Sequence, residues 1–226
     1  MPPKKKPKTP PPPRRVQAPQ VRANTRTPDD MGARQRLILY AIAGSGIVAL
    51  VVVVLIVALG GGGSGNAKAA ASALAAAGCQ YKSYQIQPRT PHYTSLNPSP
   101  PPHWNSYPPS SGLHYYQWVL WGDYTEPVPL IKEVHNLEHG GVIIQYGSKV
   151  PKSDITQINA LWQKDPNAML IAPLPNLGNK IALTSWGQWA ECTHFNQNAF
   201  KKFIAAFRYH APESGVFPKS ALQPGQ

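Results

Sequence analysis

The sequence predicts an α+β domain, a small sheet packed on helices, carried behind a disordered basic tail and one transmembrane helix. Three observations carry that prediction. An uncharged apolar run divides a proline-rich basic stretch from the remainder of the chain. Behind it, short β-branched runs alternate with segments whose apolar residues recur at helical spacing. With 26 Pro, 18 Gly and only 14% charged residues in 226, the composition is not that of an average soluble enzyme. Two cysteines exclude both a multi-disulfide scaffold and a cysteine-rich zinc module, and leave room for one bridge.

Residues 1–36 hold ten basic residues and only two acids, so most of the formal net charge of +12 is local to them. Almost no large apolar residues occur there, and such a segment cannot offset the entropy of folding; it is expected to be disordered with polyproline II character. Residues 37–59 are 23 consecutive uncharged residues, about 34 Å long as a helix at about 1.5 Å per residue, enough to cross a bilayer. This length exceeds a signal-peptide core, so an uncleaved signal-anchor is expected, with the basic flank cytoplasmic and the following domain outside. The expected partners of these two segments are the lipid bilayer for residues 37–59 and anionic headgroups for the basic tail. Nucleic acid is not an expected partner. Residues 60–66 read as a Gly-rich flexible linker, and residues 67–226 as the exported globular domain.

Within that domain, Ala67–Ala77 reads as a helix ending at Gly78. Ile86 to Gly112 is too rich in proline for helix or central strand, and is expected to be a long ordered loop packed by its Tyr, Trp and His residues. Gly141–Tyr146 reads as a buried strand, and Ser153–Asp165 as a helix behind a Ser cap, with Ile155, Ile158, Leu161 and Trp162 on its apolar face. Met169–Ala172 and Lys180–Trp186 read as two strands in a hairpin-like arrangement. Asn196–His210 closes the domain as a helix presenting Phe200, Phe203, Ile204 and Phe207. Cys79 and Cys192 bracket most of the domain and, in an exported compartment, are expected to form a disulfide.

The densest polar cluster is His135-Asn136-Leu137-Glu138-His139. On a helix His135 and His139 share a face, about 6 Å apart, and can hold one metal ion; on a strand they cannot. The letters match the inverted zinc-protease pattern H-x-x-E-H, but Gly140-Gly141 stops any helix at once, so peptidase activity is not expected. Of the remaining histidines, His92 and His114 lie in the most patterned surroundings and are the best additional ligands. Ser110 and Ser111 read as turn formers rather than nucleophiles.

His92-Tyr93-Thr94, Pro108 to Tyr124 (PPSSGLHYYQWVLWGDY), Val134 to Tyr146 (VHNLEHGGVIIQY) and a late tryptophan ahead of Cys192 together resemble the bacterial family known as domain of unknown function 3105. The resemblance implies an N-terminal membrane helix with one exported domain in a bacterial cell membrane. It also implies a shared residue set that includes His92, Gly112, His114, Trp118, Gly122, Tyr124, His135, Glu138, His139, Gly140 and both cysteines. It implies no reaction.

The leading functional expectation is thus a membrane-anchored extracytoplasmic domain binding copper or zinc through His92, His114, His135, Glu138 and His139. Two alternatives stand beside it. One is a metal-free structural or partner-binding module of the cell envelope, held by the same groups as a hydrogen-bonded network. The other is a metal-dependent enzyme with an open coordination position.

Overall fold

The structure is a computed structural model that describes residues 62–226. The expected tail and membrane helix, residues 1–59, lie outside them, and among the described residues no helix is long and apolar enough to cross a membrane. Chain order is α1 (Gly62–Ala76), β1 (Gln80–Ser83), β2 (Gly122–Asp123), α2 (Leu130–Glu138), β3 (Val142–Tyr146), α3 (Lys152–Lys164), β4 (Met169–Pro173), β5 (Ile181–Ser185), β6 (Gln188–Cys192) and α4 (Gln197–Phe207). The class is α+β, as the sequence predicts, around a six-stranded mixed sheet of order β1-β6-β5-β3-β4-β2.

The middle of the sheet is apolar on both faces. Val142 and Ile144 of β3, with Met169 and Ile171 of β4, point into a core built with Leu74 of α1, Ile158 of α3 and Phe200, Phe203 and Phe207 of α4. Their neighbours Ile143, Leu170 and Ala172 point the other way, against Val134 and Leu137 of α2, with Val119 and Trp186. A period of two thus gives the sheet two covered faces.

Several boundaries differ from the sequence reading, each for a local reason. α1 starts at Gly62, inside the stretch read as a linker. α3 has Pro151 at its N-cap position and no side-chain cap, because proline's fixed φ already suits the entry; Ser153 lies within the first turn. The hairpin expectation for Met169–Ala172 and Lys180–Trp186 is wrong. β3 lies between β4 and β5, parallel to the first and antiparallel to the second, and the Pro-Asn-Leu-Gly connection contains a 3-10 turn at Pro175–Leu177. The real hairpin is β5–β6, whose register pairs Ser185 with Gln188 around Trp186-Gly187.

The expected closing helix and the expected disulfide are both present, the helix ending at Phe207 rather than His210. Asn196 caps α4, its side-chain oxygen accepting from the Ala199 N–H at 3.0 Å. Cys79 and Cys192 form a disulfide across 113 residues, at the point where β1 runs antiparallel to β6. That bond fits an oxidising compartment.

Candidate metal centre

Between β1 and β2 the chain runs as one long ordered loop, and three backbone contacts decide where its histidines lie. The Tyr93 N–H donates to the His114 carbonyl (2.7 Å), the Tyr116 N–H to the Tyr93 carbonyl (3.0 Å), and the Tyr115 N–H to the Ile131 carbonyl at the start of α2 (2.9 Å). The first two join two arms of the loop, and the third docks them on α2. His92, His114 and His135 are thereby brought side by side. Asn136 strengthens the docking, its amide donating to the Val119 carbonyl (2.7 Å) and accepting from the Val119 N–H (2.9 Å).

One ring nitrogen from each of His92, His114 and His135 lies within 4.8 Å of the others, close enough together to hold one metal ion. Two of these rings are oriented by the backbone. His114 donates its Nδ1–H to the Gly112 carbonyl (2.7 Å) and His135 donates its Nδ1–H to the Tyr115 carbonyl (2.8 Å), which turns both Nε2 atoms toward the cluster. A carbonyl behind a ligating imidazole is the usual way of fixing its tautomer and direction. Gly112 is required for this arrangement: its φ of +120° is a left-handed conformation, and a Cβ there would lie 2.9 Å from the Trp104 ring.

The short helix α2 settles the question left open by His135 and His139. Glu138 is its last residue and His139 its C-cap, so the two imidazoles stack on one face with their Nε2 atoms 3.0 Å apart. Two imidazole lone pairs at that distance repel unless a proton or a cation lies between them. The His139 Nδ1 is buried and has no protein partner among the described residues. Gly140 ends the helix at φ +87°, and a Cβ there would come 2.8 Å from the Tyr209 backbone. That close approach lets the Tyr209 N–H reach the Gly140 carbonyl (2.7 Å) and the Glu213 N–H reach the Glu138 carbonyl (3.1 Å).

Glu138 is fully buried at the centre of the cluster. Its Oε2 lies 3.0 Å from the His114 Nε2 and 3.4 Å from the His92 Nε2, while its Oε1 accepts from Arg89 at 2.6 Å. Burial opposes the ionised form, but the contacts with His114 and Arg89 outweigh it and, in the metal-free chain, hold the carboxyl down to about 2. His135 moves the other way for an imidazole: burial pushes its pKa down to about 4, so it is neutral and able to ligate at pH 7. Burial likewise lowers His139. In a tetrahedral zinc site with bonds of about 2.0–2.1 Å, ligand atoms lie about 3.3 Å apart. The spacings from Glu138 Oε2 to His92 and His114 fit that scale.

Of the five site residues read from sequence, His92, His114 and His135 form the trio, Glu138 joins it through two imidazoles, and His139 flanks it through His135. His103, His194 and His210 are exposed and take no part. Ser110 closes a turn, its N–H donating to the Ser106 hydroxyl, whereas the Ser111 hydroxyl accepts from the Gln87 N–H and ties two segments of the loop. The sequence reading missed Arg89, Glu213 and Phe217. Arg89 also donates to Glu213 (2.7 Å), and Phe217 lies edge-on to His139 with ring centres 5.1 Å apart. One signal pointed to Arg89, the only cation between Lys82 and Lys132. Trp118, marked only by the resemblance, is edge-on to both His135 and His139.

No curated protein and no solved structure matches the chain. A family model does, over residues 101–220, a span that contains His114, His135, Glu138, His139 and Cys192 and leaves Arg89, His92 and Cys79 outside it. The family is described as a protein of unknown function (DUF3105), and the chain belongs to it.

Proposed function

We propose that this protein is a membrane-anchored, extracytoplasmic domain that binds one copper or zinc ion through His92, His114 and His135. The observation that carries the reading is the backbone-fixed aim of His114 and His135, with one ring nitrogen of each lying within 4.8 Å of the other and of one on His92. Glu138 is the fourth ligand or the anion that faces the ion, and Arg89 orients it. His139 meets the His135 Nε2 at 3.0 Å, a contact that ligation of an ion by His135 would replace. Three imidazoles and a carboxylate suit zinc, copper(II) or iron. Copper(I) held by thioether is not supported, because Met169 is buried in the core on the opposite face of the sheet. When bound, such an ion supplies Lewis acidity and a coordination position open to a further ligand.

Location follows from the apolar run of residues 37–59, its basic flank and the disulfide, which together support a single-pass anchor with the domain outside. On this reading the basic tail contacts anionic lipid headgroups on the cytoplasmic side. A second reading has one specific observation in its favour: Arg89 already neutralises Glu138, as a metal-free structural network in an envelope module would require. Elemental analysis separates the two. The full chain, purified with its disulfide intact and without nickel resin, should carry near-stoichiometric metal, and His92→Ala/His135→Ala should carry almost none at unchanged circular dichroism. A folded wild type that neither contains nor takes up zinc or copper overturns the metal reading in favour of the network.

A further inference from the structure

Beside the histidines opens a cavity of about 920 Å³, within the range of sites that hold small organic molecules. Its walls are chemically uneven. His92, His135 and His139 stand in its lining with Trp118, which lies 4.8 Å from the His139 ring centre. Most of the remaining wall is apolar. Seven large apolar or aromatic side chains are exposed among the described residues, and five of them, Leu96, Tyr116, Leu120, Val216 and Phe217, line this one cavity. Such a concentration is not scattered surface hydrophobicity and marks a binding site.

Two non-histidine charges complete the lining, and they are not equivalent. Glu213 shares Arg89 (2.7 Å) with Glu138 and lies 3.5 Å from the His139 Nε2. Lys132 forms no ion pair among the described residues; its ammonium lies over the Tyr115 ring at 5.6 Å. Around Lys132, a trough of apolar side chains with a cation that has no carboxylate partner is complementary to an apolar body ending in one negative charge, seated at the Lys132 side and away from Glu213.

We propose that this cavity binds a small organic carboxylate with an aromatic or extended apolar body. The body lies along Trp118, Leu120 and Val216, and the carboxylate meets Lys132 and the histidine cluster. The contact to the cluster rests on the metal reading, since a bound ion would add its charge there; the apolar wall and Lys132 act without it.

The test uses the full chain in lipid nanodiscs, metal-free and zinc-loaded, titrated calorimetrically with 4-phenylbutyrate. Acetate supplies the head alone and 4-phenylbutanamide the body without charge. Phenylbutyrate should bind about tenfold or more tighter than either partial probe, and tighter still in the zinc-loaded chain. Leu120→Glu, at an exposed position, should abolish the preference over acetate. Lys132→Gln should bring the metal-free affinity for phenylbutyrate down to that for the amide. Circular dichroism checks that both variants fold. Zinc uptake with phenylbutyrate no tighter than acetate overturns this assignment and leaves the metal centre standing. A phenylbutyrate preference in a chain that takes up neither zinc nor copper leaves the cavity assignment standing and overturns the metal centre.

Discussion

On one side of the sheet, α1, α3 and α4 cover an almost wholly apolar interior. Among its few buried polar groups, Ser185 donates to the Phe207 carbonyl (3.2 Å) and Asp154 accepts from the Phe195 N–H (3.2 Å). On the other side, α2 and the long loop bury His114, Glu133, His135, Asn136, Glu138, His139 and Gln145 with a much smaller apolar cluster. The same strands carry both. The difference teaches that stability and chemistry are divided between the faces. One face gains from removing apolar area from water, while the other incurs desolvation costs that only hydrogen bonds or a bound cation offset.

The sharpest test of this division is to weaken the apolar side alone. Replacing both cysteines, Cys79→Ser/Cys192→Ser, should cost up to about 4–5 kcal/mol in the chain-entropy account of a loop this long. Phe203→Ala should cost about 3–5 kcal/mol. Denaturant unfolding measures both, and at low denaturant each folded variant should retain wild-type zinc affinity. Loss of that affinity in a folded Phe203→Ala chain would show that the faces are not separable.

Weakening the polar side should do the reverse. Arg89→Ala removes the group that orients the buried Glu138 and should lower zinc affinity about 10–100-fold, with the metal-free chain destabilised by about 1–3 kcal/mol. Competition with a chromophoric chelator reads the affinity. An unchanged affinity would remove Arg89 from the site.

Acidity should act through the polar face as well. His135 falls from 6.5 to about 4 on folding, so the unfolded chain takes up its proton first and metal-free stability declines as pH drops through that window. Glu138, held at about 2, adds a second decline between its unfolded 4.5 and that value. Glu133 works from the alkaline side: burial raises it from 4.5 to about 8, against a hydrogen bond from Gln145, so its contribution is lost as pH rises through this range. The metal-free chain should therefore be most stable at mildly acidic pH by thermal unfolding. A flat profile from pH 4 to 8 contradicts this.

The smallest effect expected is the gain from Glu133→Gln. Glu133 is buried with only the Gln145 amide as partner, and the Gln145 Oε1 is itself buried without one. A second amide can donate to that oxygen and need not lose or hold a proton. The substitution should stabilise the chain by about 1 kcal/mol at pH 8, and by less at pH 5. Destabilisation at both pH values would mean that the carboxyl has a partner that these contacts do not reveal.

The apolar face was largely readable from sequence because its signals are periodic. Phe200, Phe203, Ile204 and Phe207 repeat at helical spacing, and Val142–Ile144 is a continuous apolar run. β1 escaped because Gln80–Ser83 is a polar edge strand with hardly any buried surface, defined by pairing with β6 rather than by its own pattern. α2 escaped for the opposite reason. Glu133, His135, Asn136 and Glu138 are buried among its nine residues, so the apolar stripe that would announce it is interrupted by the polar groups it presents. For the site, the four histidines and Glu138 stood out by spacing and context, whereas Arg89 and Glu213 meet across 124 residues and no local pattern relates them.

That last separation sets an order of events as the chain folds. Local elements such as α2 and the β5–β6 hairpin can close early, but the contact joining Arg89, Glu138 and Glu213 must wait until both distant segments have docked. A half-folded chain can therefore present some of the imidazoles before Glu138 has been oriented. Tight metal capture would then report that folding is complete.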